Sequence, residues 1–382
     1  MNELRQIIEQ EIRERGPIPF SRYMELCLYH PELGYYSRHA GQFGKAGDFY
    51  TSSDVHAVFG RLLARQFDEM WRALGSPATV TLKELGPGRG LFAQDVLDWA
   101  EKKFPEFFRA LRYVLVEQSP ALRERICQTL KRHLESGRAT LAEARAPLRT
   151  KNTGSGGLDN FPTIVFANEF FDSIPVEIVS AEGSLRIGAE KGRFVESWVP
   201  SSAEEFEFLD RYSIHPEAGE RVEVSLQSQE LAREDADVGC GFLIIVDYGY
   251  TREEQLAGRH RGTLKAIRQH SVSTSPYEAP GEQDLTADVN FTALAATAEK
   301  QGLRAEKLIT QSQFLMGIGE ANQFADAFED CRLPQERAKV ALQLKHLVTP
   351  AGMGESFQVL LASKGIEEEK MSAMAGLGFG KR

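Results

Sequence analysis

Apolar residues follow two different patterns along this chain. Several short runs are apolar almost throughout, which is typical of parallel strands that are covered on both faces. These runs alternate with segments of helical period, and that order is typical of an α/β fold. We therefore predict buried strands at residues 79–84, 113–117, 163–167 and 242–246, and two closing strands at 303–309 and 357–363.

A different pattern fills residues 176–235, where apolar and polar positions alternate between turns. Alternation with a period of two predicts antiparallel strands, so we expect an antiparallel β insertion beside the main sheet. The N-terminal region is expected to be helical at residues 2–15 and 55–74, with a loop at 30–53. The tail after residue 365 is charged and then rich in Gly and Met, and we expect it to be flexible.

The first buried run ends at Glu84 and is followed by three alternating glycines, Gly86, Gly88 and Gly90. Glycine in a strand-to-helix loop lets the backbone approach a ligand closely. A dinucleotide fold uses the spacing G-x-G-x-x-G, but its third glycine would fall at Leu91 here. An acid followed by G-x-G-x-G is instead the first motif of methyltransferases that use S-adenosyl-L-methionine (SAM). A plain glycine-rich turn is the alternative interpretation.

A second carboxylate, Glu117, ends the next predicted strand. It follows Gly90 at a distance that leaves room for one helix and one strand. In a Rossmann-like sheet, an acid at the end of the second strand accepts hydrogen bonds from both ribose hydroxyls of the ligand. Glu117 is therefore the predicted ribose-binding residue, and a surface acid at a strand end is the alternative.

Charge and cysteine content exclude several classes of function. The net charge of −10 argues against a general nucleic-acid binder, because such a protein needs a basic surface. The four cysteines form no C-x-x-C pair, which argues against a zinc or dithiol site. No apolar stretch has membrane-spanning length, so no membrane association is expected. The first residues carry charges rather than a signal-peptide core, and we expect reduced thiols and a cytoplasmic location.

An amide and two carboxylates follow the third buried run directly, as Asn168, Glu169 and Asp172. In an open α/β sheet, ligands bind at the carboxyl ends of the strands, so these side chains are expected to face the ligand of the glycine loop. The alternative is that Glu169 and Asp172 are acids of a helix N-terminus. We favour the functional interpretation, because both acids and the amide occur together at this edge.

Another polar cluster occurs in residues 261–287 and includes His270, Asp284 and Thr286. This segment follows the fourth buried run, and its polar side chains are expected to cover the ligand site. A surface loop that is stabilised by Asx and Thr turns is the alternative.

Together these motifs make the chain similar to the MidA family of SAM-dependent methyltransferases, whose mitochondrial members assist assembly of respiratory complex I. The resemblance extends over residues 16–364. Two positions depart from the family pattern, since Ser53-Asp54 replaces Pro-Glu and Ile267 replaces an aromatic residue. Both lie in loops that are expected to contact the substrate. The matching segments are residues 47–52, 84–90, 168–172, 247–250, 262–264 and 281–286.

The resemblance implies a Rossmann-like class I methyltransferase fold, in which a seven-stranded, mostly parallel sheet lies between helices. An N-terminal helical and loop segment and the antiparallel insertion would flank the carboxyl edge of that sheet. The expected units are N-terminal helices with an active-site loop (1–78), the first part of the SAM-binding core (79–175), the insertion on the substrate side (176–235), the second part of the core (236–364) and the flexible tail (365–382).

The resemblance also implies methylation of arginine in a protein substrate, with a respiratory-complex subunit as a candidate target and a homodimer as a candidate oligomer. A small-molecule methyltransferase and a non-catalytic assembly factor that keeps the fold are the alternatives. The intact acidic motif at residues 168–172 argues against the second. The expected cofactor-binding residues are Asp48, Thr51, Glu84, Gly86, Pro87, Gly88, Gly90, Glu117 and Gln118, and the expected catalytic residues are Asn168, Glu169, Asp172 and His270.

Arginine chemistry suggests a role for each of these acids. A guanidinium stays protonated above about pH 12, so its nitrogen is a poor nucleophile unless other groups orient it. A carboxylate can bind a guanidinium through two parallel hydrogen bonds. We therefore expect Glu169 to hold the guanidinium, Asp172 to orient it and His270 to take the released proton.

Overall fold

The computed structural model describes residues 2–38, 57–142, 161–268, 271–273 and 275–379. Within these ranges, no helix has both the length and the apolar character that crossing a membrane requires. The helices are α1 (Glu3–Arg15), α2 (Phe20–Tyr29), α3 (Tyr35–Arg38), α4 (Ala57–Ala73), α5 (Leu91–Lys103), α6 (Pro105–Ala110), α7 (Pro120–Thr129), α8 (Lys131–Glu135), α9 (Ala203–Tyr212), α10 (Leu226–Asp235), α11 (Arg252–Leu256), α12 (Phe291–Lys300), α13 (Gln311–Glu320), α14 (Ala325–Phe328), α15 (Pro334–Val348) and α16 (Glu368–Ser372).

Short strands are numerous in the same ranges, and single 3₁₀ turns occur at Phe171–Ser173 and Ala375–Leu377. The strands are β1 (Ile18–Pro19), β2 (Val80–Leu85), β3 (Leu111–Val116), β4 (Ala139–Leu141), β5 (Thr163–Asn168), β6 (Glu177–Ser180), β7 (Gly183–Glu190), β8 (Arg193–Val199), β9 (Arg221–Val224), β10 (Gly241–Tyr250), β11 (Lys265–Arg268), β12 (Ser271–Val272), β13 (Asp284–Thr286), β14 (Val289–Asn290), β15 (Arg304–Ala305), β16 (Ile309–Thr310) and β17 (Phe357–Lys364).

The central sheet has the order β4-β3-β2-β5-β10-β17, and the first five of these strands are parallel. β17 runs antiparallel to β10, and the short strands β15 and β16 both pair with β17. The predicted α/β class is confirmed, and the sheet is mixed. The predicted count of seven strands differs from the nine in the described sheet, because the closing strand at 303–309 is split in two and β14 pairs with the end of β10.

The strand order also locates a ligand-binding edge. From β2 the chain moves outward to β3 and β4, and then returns to β5 on the other side of β2. Ligands of open α/β sheets bind at the carboxyl ends of the strands where the order reverses in this way. The glycine loop after β2 and the acidic motif after β5 therefore lie beside each other at that reversal.

The insertion forms a second sheet together with a strand from the N-terminal segment. β6, β7, β8 and β9 are antiparallel, and β1 adds to this sheet through the pairing of Ile18 with Ile187. α1 and α2 pack against this sheet in a shared apolar core. α4 packs in the core of the central sheet instead, so the predicted N-terminal unit 1–78 is divided between two cores. Local periodicity could not reveal this, because the partner strand is distant in the sequence.

The C-terminal segment differs from its prediction as a flexible tail. Its helix α16 buries Met371, and Met374 follows three residues later and is also buried. The N–H of Ala375 donates to the Glu69 carboxyl at 3.0 Å, and that of Gly376 donates to Gln66 Oε1 at 3.0 Å. Local composition could not reveal this contact, because the partners Gln66 and Glu69 lie on α4, far away in the sequence.

Candidate active site

A cleft opens at the carboxyl edge of the central sheet, where three parts of the chain meet. The glycine loop after β2 and the end of β3 form its first side, and the turn after β5 forms its second side. Tyrosines of α2 and α3 and the first residue of β13 form its third side. The volume of the cleft, including the open space at its mouth, is about 1380 Å³.

Most of the predicted site residues lie in this cleft. His270, Asp48 and Thr51 are outside the described residues, so their assignments stay predictions. Gly90 does not line the cleft. It is the N-cap residue of α5. The predicted residues that do line the cleft are Glu84, Gly86, Pro87, Gly88, Glu117, Gln118, Asn168, Glu169 and Asp172.

The three glycines of the loop all have positive φ, but they serve different purposes. A Cβ added at Gly86 would lie 2.6 Å from the Phe170 ring, so Gly86 allows that ring to pack on the loop. A Cβ added at Gly90 would contact Leu130 at 3.3 Å, which makes Gly90 a packing residue. At Gly88 an added Cβ would meet no heavy atom within 4 Å. Gly88 therefore keeps space in the cleft available for a ligand.

Glu84 and Glu117 are the carboxyl groups on the loop side. The Tyr113 hydroxyl donates to Glu84 Oε2 at 2.7 Å, and burial raises the pKa of Glu84 to about 8. The N–H of Ser119 donates to Glu117 Oε1 at 2.8 Å, and burial raises the pKa of Glu117 to about 7. Desolvation disfavours the ionised form of both acids. A ligand that donates hydrogen bonds or carries positive charge would stabilise that ionised form.

The acidic turn after β5 begins with an unfavourable backbone conformation. Glu169 has φ +50°, which is rare for a residue other than glycine and costs about 1–3 kcal/mol. Its N–H donates to Val246 O at 2.9 Å, and its Oε1 accepts a hydrogen bond from Asn168 Nδ2 at 3.2 Å. Surrounding contacts must hold the turn in place, since strain of this kind persists only where the structure imposes it.

Asp172 completes the acidic side of the cleft. Burial, followed by the negative charge of Asp288, raises the pKa of Asp172 to about 7, while Lys265 opposes this shift. Asp172 is thus poised to change its protonation state near neutral pH. Five carboxyl groups lie in the described lining, beside the basic residue Arg89, and they are Glu84, Glu117, Glu169, Asp172 and Asp284.

Sequence reasoning missed the tyrosines on the third side. The Tyr29 hydroxyl donates to the Ser173 carbonyl oxygen at 3.1 Å, and the Tyr36 hydroxyl donates to Asp284 Oδ1 at 3.3 Å. The two rings are 5.4 Å apart between centroids. Asp284 lies in the cleft, as the polar cluster at 261–287 suggested. An isolated tyrosine in an N-terminal helix gives no signal of such a role, because tertiary packing alone brings it to the cleft.

Comparison with known proteins assigns the chain to a family. The profile of a family described as “Putative S-adenosyl-L-methionine-dependent methyltransferase” matches residues 62–309, more than half of the chain. The chain belongs to this family. The resemblance to MidA proteins is confirmed, and the enzyme is a methyltransferase that uses SAM as its cofactor.

Similar proteins extend this assignment to almost the whole chain. A protein arginine methyltransferase NDUFAF7 homolog of Drosophila melanogaster, named as mitochondrial, is 30% identical, with 97% of this chain and 87% of that protein covered. Mitochondrial NDUFAF7 of Danio rerio is 31% identical, covering 95% and 88%. A crystal structure from Burkholderia thailandensis, with bound S-adenosyl-homocysteine, has a TM-score of 0.81 at 28% identity, covering 98% and 94%.

These relatives correct one expectation. The predicted cytoplasmic location is contradicted, because the similar animal proteins are named as mitochondrial.

The cleft has open space beside the glycine loop and an acidic lining, and both features suit SAM. Gly88 leaves open space beside the loop, and the buried carboxyl of Glu117 offers an acceptor for ribose hydroxyls. The sulfonium of SAM is positively charged, and the acidic lining suits a cation. The methyl donor and an acceptor could share this cleft, because the loop and the acidic turn face the same space.

Replacing Gly88 by Val should weaken SAM binding by about a hundredfold or more, because the side chain would occupy ligand space at the cleft. Gly75→Val is the matched control, since Gly75 also has positive φ and open space around its Cα, but lies outside the described cleft lining. Calorimetric titration of both variants with SAM measures the effect. Similar SAM affinity in the two variants would place the cofactor elsewhere.

The raised pKa of Glu117 predicts a pH dependence of SAM binding. An acid with a pKa of about 7 is mostly ionised above that pH, and the carboxylate is the better acceptor for two hydroxyls. We expect SAM affinity to fall by about tenfold between about pH 8 and about pH 6.

Glu117→Gln should bind SAM weakly and lose most of this pH response, because the amide does not titrate. Titration calorimetry across that pH range provides the comparison. A pH response of full size in the Gln variant would assign it to another group, such as Glu84 or Asp172.

Proposed function

We propose that this SAM-dependent enzyme methylates arginine side chains of a protein substrate. The observation that carries the proposal is that Glu169, Asp172 and Asp284 line the same cleft as the glycine loop and Glu117. A guanidinium carries a fixed positive charge and five N–H donors, and carboxylates are its natural partners. The names of the animal relatives support the same acceptor.

The proposed roles of the acids follow from the chemistry of the acceptor. Glu169 binds two N–H groups of the guanidinium, and Asp172 orients the nitrogen that reacts. The cofactor supplies a methyl group on a sulfonium sulfur, which keeps the electron pair of the broken bond. As the new N–C bond forms, the nitrogen loses one proton. Asp172 in its ionised form or His270 accepts that proton.

The proposed cofactor side is the first side of the cleft. Glu117 accepts the ribose hydroxyls, Gly86, Pro87 and Gly88 leave room for the aminoacyl part, and Glu84 and Gln118 complete the contacts. Asp48 and Thr51 are retained as proposed contacts of the loop at 47–52. Support comes from the position of the described members at the carboxyl ends of β2 and β3.

The finer features of the fold and of the partners are also proposals. β15 and β16 together occupy one position beside β17, which supports a class I arrangement of seven strand positions. The unit boundaries at 78, 175, 235 and 364 are proposed on the sequence pattern as limits along the chain, although the first unit contributes to two cores and the last segment packs on α4. A subunit of a respiratory complex is the proposed target class, supported by the MidA resemblance, and a homodimer is the proposed oligomer.

Incubation of the protein with labelled SAM and a host lysate tests the function. The proposal predicts label in a protein band and, after acid hydrolysis, in methylated arginine. Label in small molecules would favour a small-molecule methyltransferase. Absence of label from every fraction, with SAM binding intact, would favour an assembly factor that keeps the fold.

Glu169→Gln sharpens this test, because it is nearly isosteric and removes the charge. We expect SAM affinity within about twofold of wild type and turnover reduced by about a hundredfold or more, since the guanidinium loses its bidentate partner. Glu190→Gln, at an exposed position of β7, is the control for a change of charge and should retain activity. If Glu169→Gln methylates its substrate at a rate near that of wild type, Glu169 has only a structural role.

A further inference from the structure

Asp247 lies at the carboxyl end of β10, beside the acidic turn, and is completely buried. β10 pairs in parallel with β5, with Val246 opposite Asn168, so Asp247 is level with the start of the turn. It does not belong to the described lining of the cleft. Any effect of Asp247 on the reaction must therefore pass through the residues that it holds.

The Asp247 carboxyl accepts hydrogen bonds from consecutive backbone N–H groups of the turn. Its Oδ2 accepts from Phe170 at 3.1 Å, from Phe171 at 2.9 Å and from Asp172 at 3.3 Å. Its Oδ1 accepts from the N–H of Tyr248 at 2.9 Å. Four backbone N–H groups thus share one buried carboxyl group, so this one side chain organises the main chain from residue 170 to residue 172.

These hydrogen bonds fix the backbone between Glu169 and Asp172, the two acids that are proposed to bind the acceptor. Glu169, with its strained φ, comes directly before the three donors, and Asp172 supplies the last of them. Other contacts hold both ends of the turn. The N–H of Glu169 donates to Val246 O at 2.9 Å, and that of Ala287 donates to the Asp172 carbonyl at 2.9 Å. The Ser173 hydroxyl donates to Phe170 O at 2.9 Å. The three bonds to Asp247 fix the residues that follow Glu169, and together with the bond to Val246 they can keep Glu169 in its unfavourable conformation.

We propose that Asp247 is a positioning residue of the acceptor site, which fixes the turn so that Glu169 and Asp172 present their carboxyl groups to the cleft together. This inference rests on the proposed function of those two acids. Burial and the charges of Asp172 and Glu169 raise the pKa of Asp247, while its N–H donors oppose that shift. A carboxyl group keeps acceptor capacity when it is protonated, so it can bind the backbone of the turn in either state.

Hydrogen exchange tests the positioning without any knowledge of the acceptor. Asp247→Asn should speed amide exchange in residues 168–173 on the order of tenfold or more, because an amide has one acceptor oxygen where the carboxyl group uses two. Exchange elsewhere should change by less than about twofold. Unchanged exchange in residues 168–173 would overturn the proposal, whatever the enzyme methylates.

Glu223→Gln is the matched control, since Glu223 is also a buried carboxyl that accepts a backbone N–H, from Leu264 at 3.0 Å. Its substitution should speed exchange near residues 263–264 and leave residues 168–173 unaffected. If both variants loosen the turn equally, the effect reflects loss of global stability and contradicts the proposal.

A double-mutant cycle tests whether Asp247 affects the reaction through Glu169. On the protein that accepts label from SAM, Asp247→Asn should lower kcat by about tenfold or more with SAM affinity within about twofold. In the Glu169→Gln background, the same substitution should cost less than about threefold further, because the residue that it positions is already inactive. Full additivity would contradict the proposal. If wild type labels no protein, the proposed function fails while the exchange result still decides the positioning.

Asp247→Glu is the second variant, which keeps the charge but displaces the carboxyl group by one methylene. It should also speed exchange in the turn and lower kcat, because the proposal depends on position as well as charge. If neither variant at Asp247 folds, the residue supports the whole fold rather than this turn, and the proposal is wrong.

Discussion

The functional site depends on the parallel pairing of β5 with β10. This pairing ends both strands at the same edge of the sheet, so the acidic turn after β5 lies directly beside Asp247 on β10. It also brings carboxyl groups into a buried environment where each is costly to ionise. Backbone N–H groups offset part of that cost at Asp247, and cationic ligands can offset it at the other acids.

Burial of these acids links the site to the stability of the fold. Glu84, Glu117 and Asp172 have pKa values of about 8, 7 and 7, above those of an unfolded chain. The folded state therefore holds more protons, and these groups lower the free energy of unfolding as pH rises from about 4.5 to about 8. A cation bound in the cleft favours the ionised acids and counteracts this loss. Cation binding and protonation are therefore linked, because a bound cation lowers the pKa of these acids and their protonation weakens cation binding.

Sequence predicted the cofactor side well because its signal is local. Glu84, Gly86 and Gly88 lie within five consecutive residues, and the strand, loop and helix around them form one unit of structure. The acceptor side is different, since Tyr29, Tyr36 and Asp284 come from distant parts of the chain. Packing of α2 against the insertion and β13, and of α3 against α2 and α7, brings the tyrosines there, and no local pattern specifies these contacts. The split closing strand and the docked C-terminal helix were missed for the same reason.

The central claim is that the acidic cleft selects a cationic guanidinium. Once the labelled arginine is located, peptides that carry arginine, lysine or citrulline at that position can be titrated into the protein loaded with S-adenosyl-homocysteine. Citrulline matches arginine in shape but has no charge. The account predicts that the arginine peptide binds most tightly, that lysine binds more weakly without a bidentate contact, and that citrulline binds least. Citrulline binding as tightly as arginine would contradict it.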